Sequence, residues 1–226
     1  MSLIVLGINH QTGSVELRER LSFPEKDVPR ALLDFKKQCP DAGIVLLSTC
    51  NRVELYLHEP GLEPAELSAL ARRFLAQWHG ILEEEFGTAM YEYWGGDVAQ
   101  HLFRVAASLD SLVLGETQIL GQVHDAYLIA QTEQSADKVM HALFQRAFSV
   151  AKAVRTKTAI GTGNVSISSV AVDLAASIFM DFSGKTVMIV GAGEMGELTL
   201  KSLVSKGVEN VHIVNRSIEK AQEMAE

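Results

Sequence analysis

The apolar positions run in two regimes, one of period two and one near 3.6, and the changes between them outline the elements. Residues 3–9 form a near-continuous apolar run that reads as a strand, whereas residues 25–38 carry Val28, Leu32, Leu33 and Phe35 at helical spacing. A short apolar run at 44–47 predicts a buried strand. Ser48-Thr49-Cys50-Asn51 interrupts it, and Val53, Leu55 and Leu57 then alternate through a second strand over 53–58. Pro64 opens a helix to residue 78 with the stripe Leu67, Leu70, Ala71, Phe74 and Leu75. Residues 90–94 predict a strand, and 98–107 a helix with Leu102, Val105 and Ala106 on one side. The order β, α, β, β, α, β, with more helix behind it, predicts an α+β sandwich of the split-βαβ, ferredoxin-like type.

Helices follow over 117–131 and 136–157, and Gly161-Thr162-Gly163-Asn164 then breaks the pattern as the best linker in the chain. The expected domains are therefore 1–160 and 161–226. Beyond the linker an apolar helix (167–180) precedes a strand (185–190) that runs directly into Gly191-Ala192-Gly193-Glu194-Met195-Gly196 and a helix to about residue 205. A GxGxxG between a buried strand and a helix reads as a dinucleotide turn, with a purely structural glycine turn as the alternative: Gly191 permits the bend, Gly193 lets the backbone approach a pyrophosphate, and Gly196 lets the helix pack on the strand. The helix N-terminus faces the phosphate charge. The next strand, 211–214, ends in Asn215-Arg216-Ser217, where an NAD site usually carries an acid; a guanidinium instead suits a 2′-phosphate and favours NADP. A Rossmann sheet normally has about six strands, so this α/β domain reads as incomplete and the chain as a piece of a longer protein.

Composition narrows the class. With 226 residues, 47% apolar, 21% charged and only 5 prolines, the chain is neither disordered nor repetitive. Nothing approaches the roughly 20 apolar residues of a membrane span, and the opening apolar run, Leu3 to Ile8, is shorter than the core of a signal peptide. Two cysteines, Cys39 and Cys50, are too few for a disulfide framework, so a reducing cytoplasm is expected. The net charge of −8 argues against a general nucleic-acid coat, yet residues 136–160 hold five basic groups (Lys138, Arg146, Lys152, Arg155, Lys157) against one acid. That segment is either a solvated helix face or a local phosphate contact.

Cys50 leaves a strand two residues before Arg52, a position compatible with an exposed and electropositive thiol; on its own it reads sooner as a small core residue, and only the resemblance below reverses that. The stretch Ser48-Thr49-Cys50-Asn51-Arg52-Val53-Glu54, the stretch from Leu109-Asp110-Ser111 through Gly115-Glu116-Thr117-Gln118 to Gln122, the opening Gly7-Ile8-Asn9-His10 and the GxGxxG, in that order, resemble glutamyl-tRNA reductase. The resemblance implies an NADPH-dependent oxidoreductase of porphyrin (tetrapyrrole) biosynthesis that converts glutamyl-tRNA(Glu) to glutamate-1-semialdehyde through a thioester on Cys50. It implies that His101 protonates the leaving hydroxyl or an alkoxide, that Thr49, Asn51, Ser111, Thr117, Gln118 and Gln122 line the substrate, that Arg52 pairs with its side-chain carboxylate and that Glu116 meets its ammonium. Gly191 to Gly196, Asn215 and Arg216 would hold NADPH. The family's C-terminal dimer region is absent, so a homodimer is expected only of a longer protein, with a downstream aminomutase as a further partner. The other histidines, His10 among them, read as structural, and no spacing suggests a metal.

Two other classes fit the residues: a binding or regulatory module that keeps the nucleotide fold without chemistry, and a cysteine-dependent aldehyde dehydrogenase for free small molecules. On the reductase reading the basic helix, with Arg146, Lys152 and Arg155, is the candidate tRNA contact, and the present chain is expected to form the thioester but to be impaired in reduction.

Overall fold

The computed structural model describes residues 2–161 and 166–225. The chain divides into two compact units, Met1–Gly161 and Thr162–Glu226. The predicted linker, past Gly161, lies outside the described residues.

The first unit runs β1 (Ser2–Asn9), α1 (Val15–Leu21), α2 (Val28–Gln38), β2 (Gly43–Ser48), β3 (Arg52–Glu59), α3 (Pro64–His79), β4 (Tyr91–Trp94), α4 (Gly96–Ala106), α5 (Gln118–Thr132) and α6 (Lys138–Lys157). Its strands lie in the order β2-β3-β1-β4, and every neighbouring pair is antiparallel. β1 and β2 therefore run parallel with β3 between them, and β3 and β4 with β1 between them. These are two interlocked split βαβ units. Helix α3 starts at Pro64 with a capping box between Glu63 and Glu66 and stops at Gly80, whose φ of +65° suits glycine. Helix α1 has no counterpart in the sequence pattern: it is seven residues long and turns only Leu17 and Leu21 to the core, with Ser14 capping its N-terminus.

Strand β3 is buried along its whole length because helices cover both faces. On one face Glu59 meets Cys39 at the end of α2. On the other, Glu54, Tyr56 and His58 meet His101 of α4, Phe144 of α6 and Asp137, the α6 N-cap. This polar alternation, not the apolar one, points toward the functional residues. Among the described residues no helix is long and apolar enough to cross a membrane.

The second unit contains α7 (Ile167–Phe179), β5 (Thr186–Val190), α8 (Glu194–Ser205), β6 (Asn210–Val214) and α9 (Ile218–Ala225). β5 and β6 pair in parallel, and Val172, Phe182, Ile189, Leu203 and Val208 form its core. The expectation that β5 is a buried strand needs correction. Ile189 is buried, but Met188 and Val190 are 64% and 74% exposed, because the described helices cover only the face that carries Val187 and Ile189. The α7 helix ends one residue earlier than predicted, with Met180 at φ +62°.

Candidate active site

Residues 49–51 connect β2 to β3, and the connection is shaped by a hydroxyl. Thr49 Oγ1 accepts from Asn51 N (3.2 Å) and Arg52 N (3.1 Å), while Thr49 N donates to Arg52 O at 2.8 Å. The turn therefore bends sharply and leaves the Cys50 thiol exposed and unpaired with any other sulfur. Thr49 is engaged in building this turn, so its expected role toward a ligand becomes one of shape. Asn51 stands half-buried beside it.

Arg52 begins β3 and turns inward. Its Nη1 meets Glu54 Oε1 at 2.7 Å; its Nη2 meets Asp110 Oδ2 at 3.1 Å and Asp110 O at 2.6 Å. At 1% exposure the guanidinium is enclosed, and only Nε is a buried donor without a protein partner. This corrects the expected bidentate fork for a substrate carboxylate: both terminal nitrogens are already held by carboxylates of the protein. Arg52 instead ties the start of β3, beside the Cys50 turn, to Glu54 and to the Asp110 loop.

Glu54 is the centre of the network. Fully buried, it accepts from Arg52, from His101 Nε2 at 2.9 Å, from Tyr56 Oη at 2.5 Å and from Tyr91 Oη. Burial alone would favour the neutral acid, but Arg52, His101 and the hydroxyl donors outweigh it and hold the carboxyl well below the usual carboxylate range. Because a carboxylate only accepts, His101 donates through Nε2, which leaves Nδ1 as the nitrogen available for proton transfer. The imidazole also stacks on Tyr93 at 4.8 Å and lines a cleft of about 390 Å³ with Gln11, Asp97, Gln100, Arg104 and Asp110.

Asp110 and Ser111 lie on the loop between α4 and α5. Asn9, at the end of β1, reaches Asp110 Oδ2 at 3.5 Å, so the 7–10, 48–54 and 109–122 stretches converge on one ion pair. Ser111 is buried, and its Oγ has no protein partner. Glu116 is buried, Thr117 is exposed at the head of α5, and Gln118 is half-buried one residue on. Gln122 is exposed and borders a different depression, with Ser48 and Phe23; sharing a helix with Gln118 does not bring it to the His101 cleft.

Glu54, Asp110, Tyr91 and His10 were not foreseen as site residues. The i, i+2 spacing of Arg52, Glu54 and Tyr56 was the available signal for the first. His10 is half-buried with Nδ1 unpartnered, and burial first, then the Arg52 charge, pulls its pKa down. In the basic helix, Arg146, Lys152 and Lys157 are exposed. Arg155 is not a free phosphate contact: its Nη2 is held by the carbonyls of Gly115 and Glu116.

The turn Gly191–Gly196 behaves as its glycines require. Gly191 has φ +110°, and its N–H donates to Val214 O at 2.7 Å. A Cβ on Gly196 would lie 2.4 Å from Gly191 O, so α8 reaches the turn only with glycine there. A Cβ on Gly193 would meet nothing, which leaves the head of α8 open to a phosphate. Ala192 N donates to Asn215 Oδ1 at 3.3 Å, so Asn215 braces the turn, while Arg216 is exposed beyond β6. Glu194 and Met195 form the first turn of α8. These features fit a dehydrogenase-type nucleotide cofactor.

Residues 6–158 match a family model described as glutamyl-tRNAGlu reductase, N-terminal domain, and residues 173–226 match one described as shikimate/quinate 5-dehydrogenase. A glutamyl-tRNA reductase from Brevibacillus brevis is 44% identical over all of this chain and 49% of its own length; one from Syntrophotalea carbinolica is 45% identical over all of this chain and 51% of its own. The solved structure of a glutamyl-tRNA reductase from Methanopyrus kandleri superposes with a TM-score of 0.65 at 37% identity, covering 99% of this chain and 51% of that one. The chain spans about half the length of the curated relatives it matches.

Proposed function

Given that the chain belongs to the glutamyl-tRNA reductase family, we propose that it carries the acyl-transfer centre of an NADPH-dependent glutamyl-tRNA reductase of tetrapyrrole synthesis. The observation that carries this reading is the exposed Cys50 thiol on a turn whose next inward side chain, Arg52, leads through Glu54 to His101. As a thiolate, Cys50 attacks the ester carbonyl of glutamyl-tRNA(Glu); an Sγ–C bond forms, the C–O bond to the terminal ribose breaks, and the ribose oxygen takes a proton. His101, held by Nε2, takes the Cys50 thiol proton on Nδ1 and passes it to the ribose oxygen, so the imidazole ends as it began.

NADPH, when bound, supplies the hydride equivalent that converts the thioester to an aldehyde. Gly191, Gly193 and Gly196 would seat its pyrophosphate and Arg216 its 2′-phosphate; the exposed guanidinium supports NADPH over NADH. The reading requires a reduced Cys50 and hence a reducing cytoplasm. The aldehyde is reactive, which supports direct consumption by an aminomutase, and a homodimer belongs to this reading only for a longer protein. The exposed cations Arg146, Lys152 and Lys157 suit a local contact to tRNA phosphates.

The test is to mix the chain with glutamyl-tRNA(Glu), quench in acid and weigh the protein. A glutamyl adduct on the wild type that is absent from Cys50→Ser is expected. Adduct-free wild-type protein that still binds nucleotide would favour the binding-module reading, and acylation by free glutamate esters alone would favour the aldehyde-dehydrogenase reading.

A further inference from the structure

The loop joining α4 to α5 presents Asp110 and Ser111 without regular secondary structure of its own, so its shape depends on contacts other than a helix or strand ladder. Part of the restraint is internal: Gly115 N donates to Ser108 O at 3.0 Å, and Ser108 Oγ to Glu116 O at 2.6 Å. The rest comes from the end of α6. Arg155 Nη2 donates to Gly115 O at 2.9 Å and to Glu116 O at 2.8 Å, and its Nε is buried. Gly115 also has φ +82°, and a Cβ there would fall 2.0 Å from Ile160 O, so the turn after α6 packs directly on the loop backbone. A guanidinium that holds two consecutive carbonyls on another element is a brace, since charge-assisted bonds of this kind are about twice as strong as neutral ones.

We propose that Arg155 is a positioning residue for acyl transfer at Cys50. It fixes residues 115–116; the loop so fixed places Asp110; and Asp110 holds Arg52 next to the nucleophile turn through contacts of 2.6 and 3.1 Å. Arg155 touches none of the reacting atoms. The inference rests on the reading in which Cys50 is acylated, and it separates Arg155 from the exposed cations of the same helix. A phosphate contact would act on tRNA affinity and its salt dependence. A brace acts on the maximal rate, because displacing a catalytic constellation by about 1 Å can cost on the order of a hundredfold.

The experiment measures glutamyl-tRNA acylation of Cys50 in this chain against substrate and salt concentration for the wild type, Arg155→Gln and Arg155→Lys, with iodoacetamide alkylation of Cys50 in parallel. The expected result for Arg155→Gln is a maximal rate lowered about tenfold, half-saturation changed less than about twofold and alkylation nearly unchanged. Arg155→Lys, which keeps the charge and can reach one carbonyl, should lose about threefold. An unchanged maximal rate, a loss confined to half-saturation with a flatter salt slope, or an equal loss of acylation and alkylation would each overturn the proposal. Should Arg155→Gln fail to fold, Arg155→Lys decides alone: a threefold loss of maximal rate supports the brace and a wild-type rate overturns it. Wild-type protein that never acylates removes the functional reading and this inference with it, whereas a normal wild type with indifferent variants removes only the brace.

Discussion

Glu54→Gln is the sharpest probe of the buried network, because it deletes one charge and almost no volume. Glu54 Oε1 receives Arg52, His101 and Tyr91, whereas Oε2 receives only Tyr56. A glutamine will therefore turn its carbonyl toward the three donors and its NH₂ toward Tyr56, whose hydroxyl can rotate to accept. Hydrogen bonding is largely kept, and the loss is that of the charge facing a guanidinium at 1% exposure. Removing one member of a buried ion pair costs about 3–5 kcal/mol; with the hydrogen bonds retained and Asp110 still opposite Arg52, the low end, about 3 kcal/mol, applies. In a unit of this size each kcal/mol moves the melting point by about 2–4 °C, so a fall of about 6–12 °C is expected. Both tryptophans, Trp78 and Trp94, lie in the first unit, so tryptophan fluorescence in urea or on heating follows that unit alone. The folded pKa of Glu54 lies below its usual 4.5, so its contribution is complete above that pH and is lost as the pH falls toward the folded value. Glu54→Gln should flatten this acid limb. A loss below about 1 kcal/mol, or additivity between Glu54→Gln and Arg52→Met in a double-mutant cycle, would refute the reasoning.

Gly193→Ala should melt with the wild type, since its Cβ meets nothing, yet weaken NADPH binding about tenfold or more in a fluorescence titration if a phosphate occupies that space. Gly196→Ala should damage both stability and binding, because Gly191 O stands 2.4 Å from the new methyl. Arg216→Glu should cost NADPH about tenfold while sparing NADH, and equal losses for both would show that the guanidinium does not read the 2′-phosphate. Burial pulls the His79 pKa from 6.5 down to about 4, so proton uptake opposes folding: stability is full above pH 6.5 and falls between there and about 4. His79→Gln should remove that part of the slope of the urea midpoint against pH.

The elements were legible where one side of a segment is apolar and the other wet. Strand β3 shows the limit. Val53, Leu55 and Leu57 announce the strand, and by the usual logic Arg52, Glu54, Tyr56 and His58 should then face water. They do not, because α4 and α6 form a second helical layer on that face and the polar groups satisfy one another there. Periodicity reports which residues need burial, and it is silent about polar residues that tolerate burial in company. The same blindness explains Arg155, whose charge reads as surface in sequence and whose partners are backbone carbonyls that no sequence pattern displays. Strand β5 fails in the opposite sense: Met188 and Val190 read as core, but core requires a covering element, and none of the described residues supplies one on that face.

The separate motifs acquire a common cause once the ion pairs are followed. Asn9 belongs to the first, Arg52 to the second and Asp110 to the third, and Asn9 and Arg52 both reach Asp110 Oδ2 within 3.5 Å. Glu54 then extends the same charge sequence to His101. Carboxylate, guanidinium and carboxylate alternate in sign along this path, the imidazole closes it as a hydrogen-bond donor, and each buried member would be costly without its neighbours. Arg52 is thus retained in the interior by two carboxylates, two residues from the Cys50 turn. An arrangement built for stability alone would have been simpler with apolar side chains in these places; pairing four ionisable groups behind an exposed thiol makes sense where a fixed imidazole is needed at the end of the sheet that bears it.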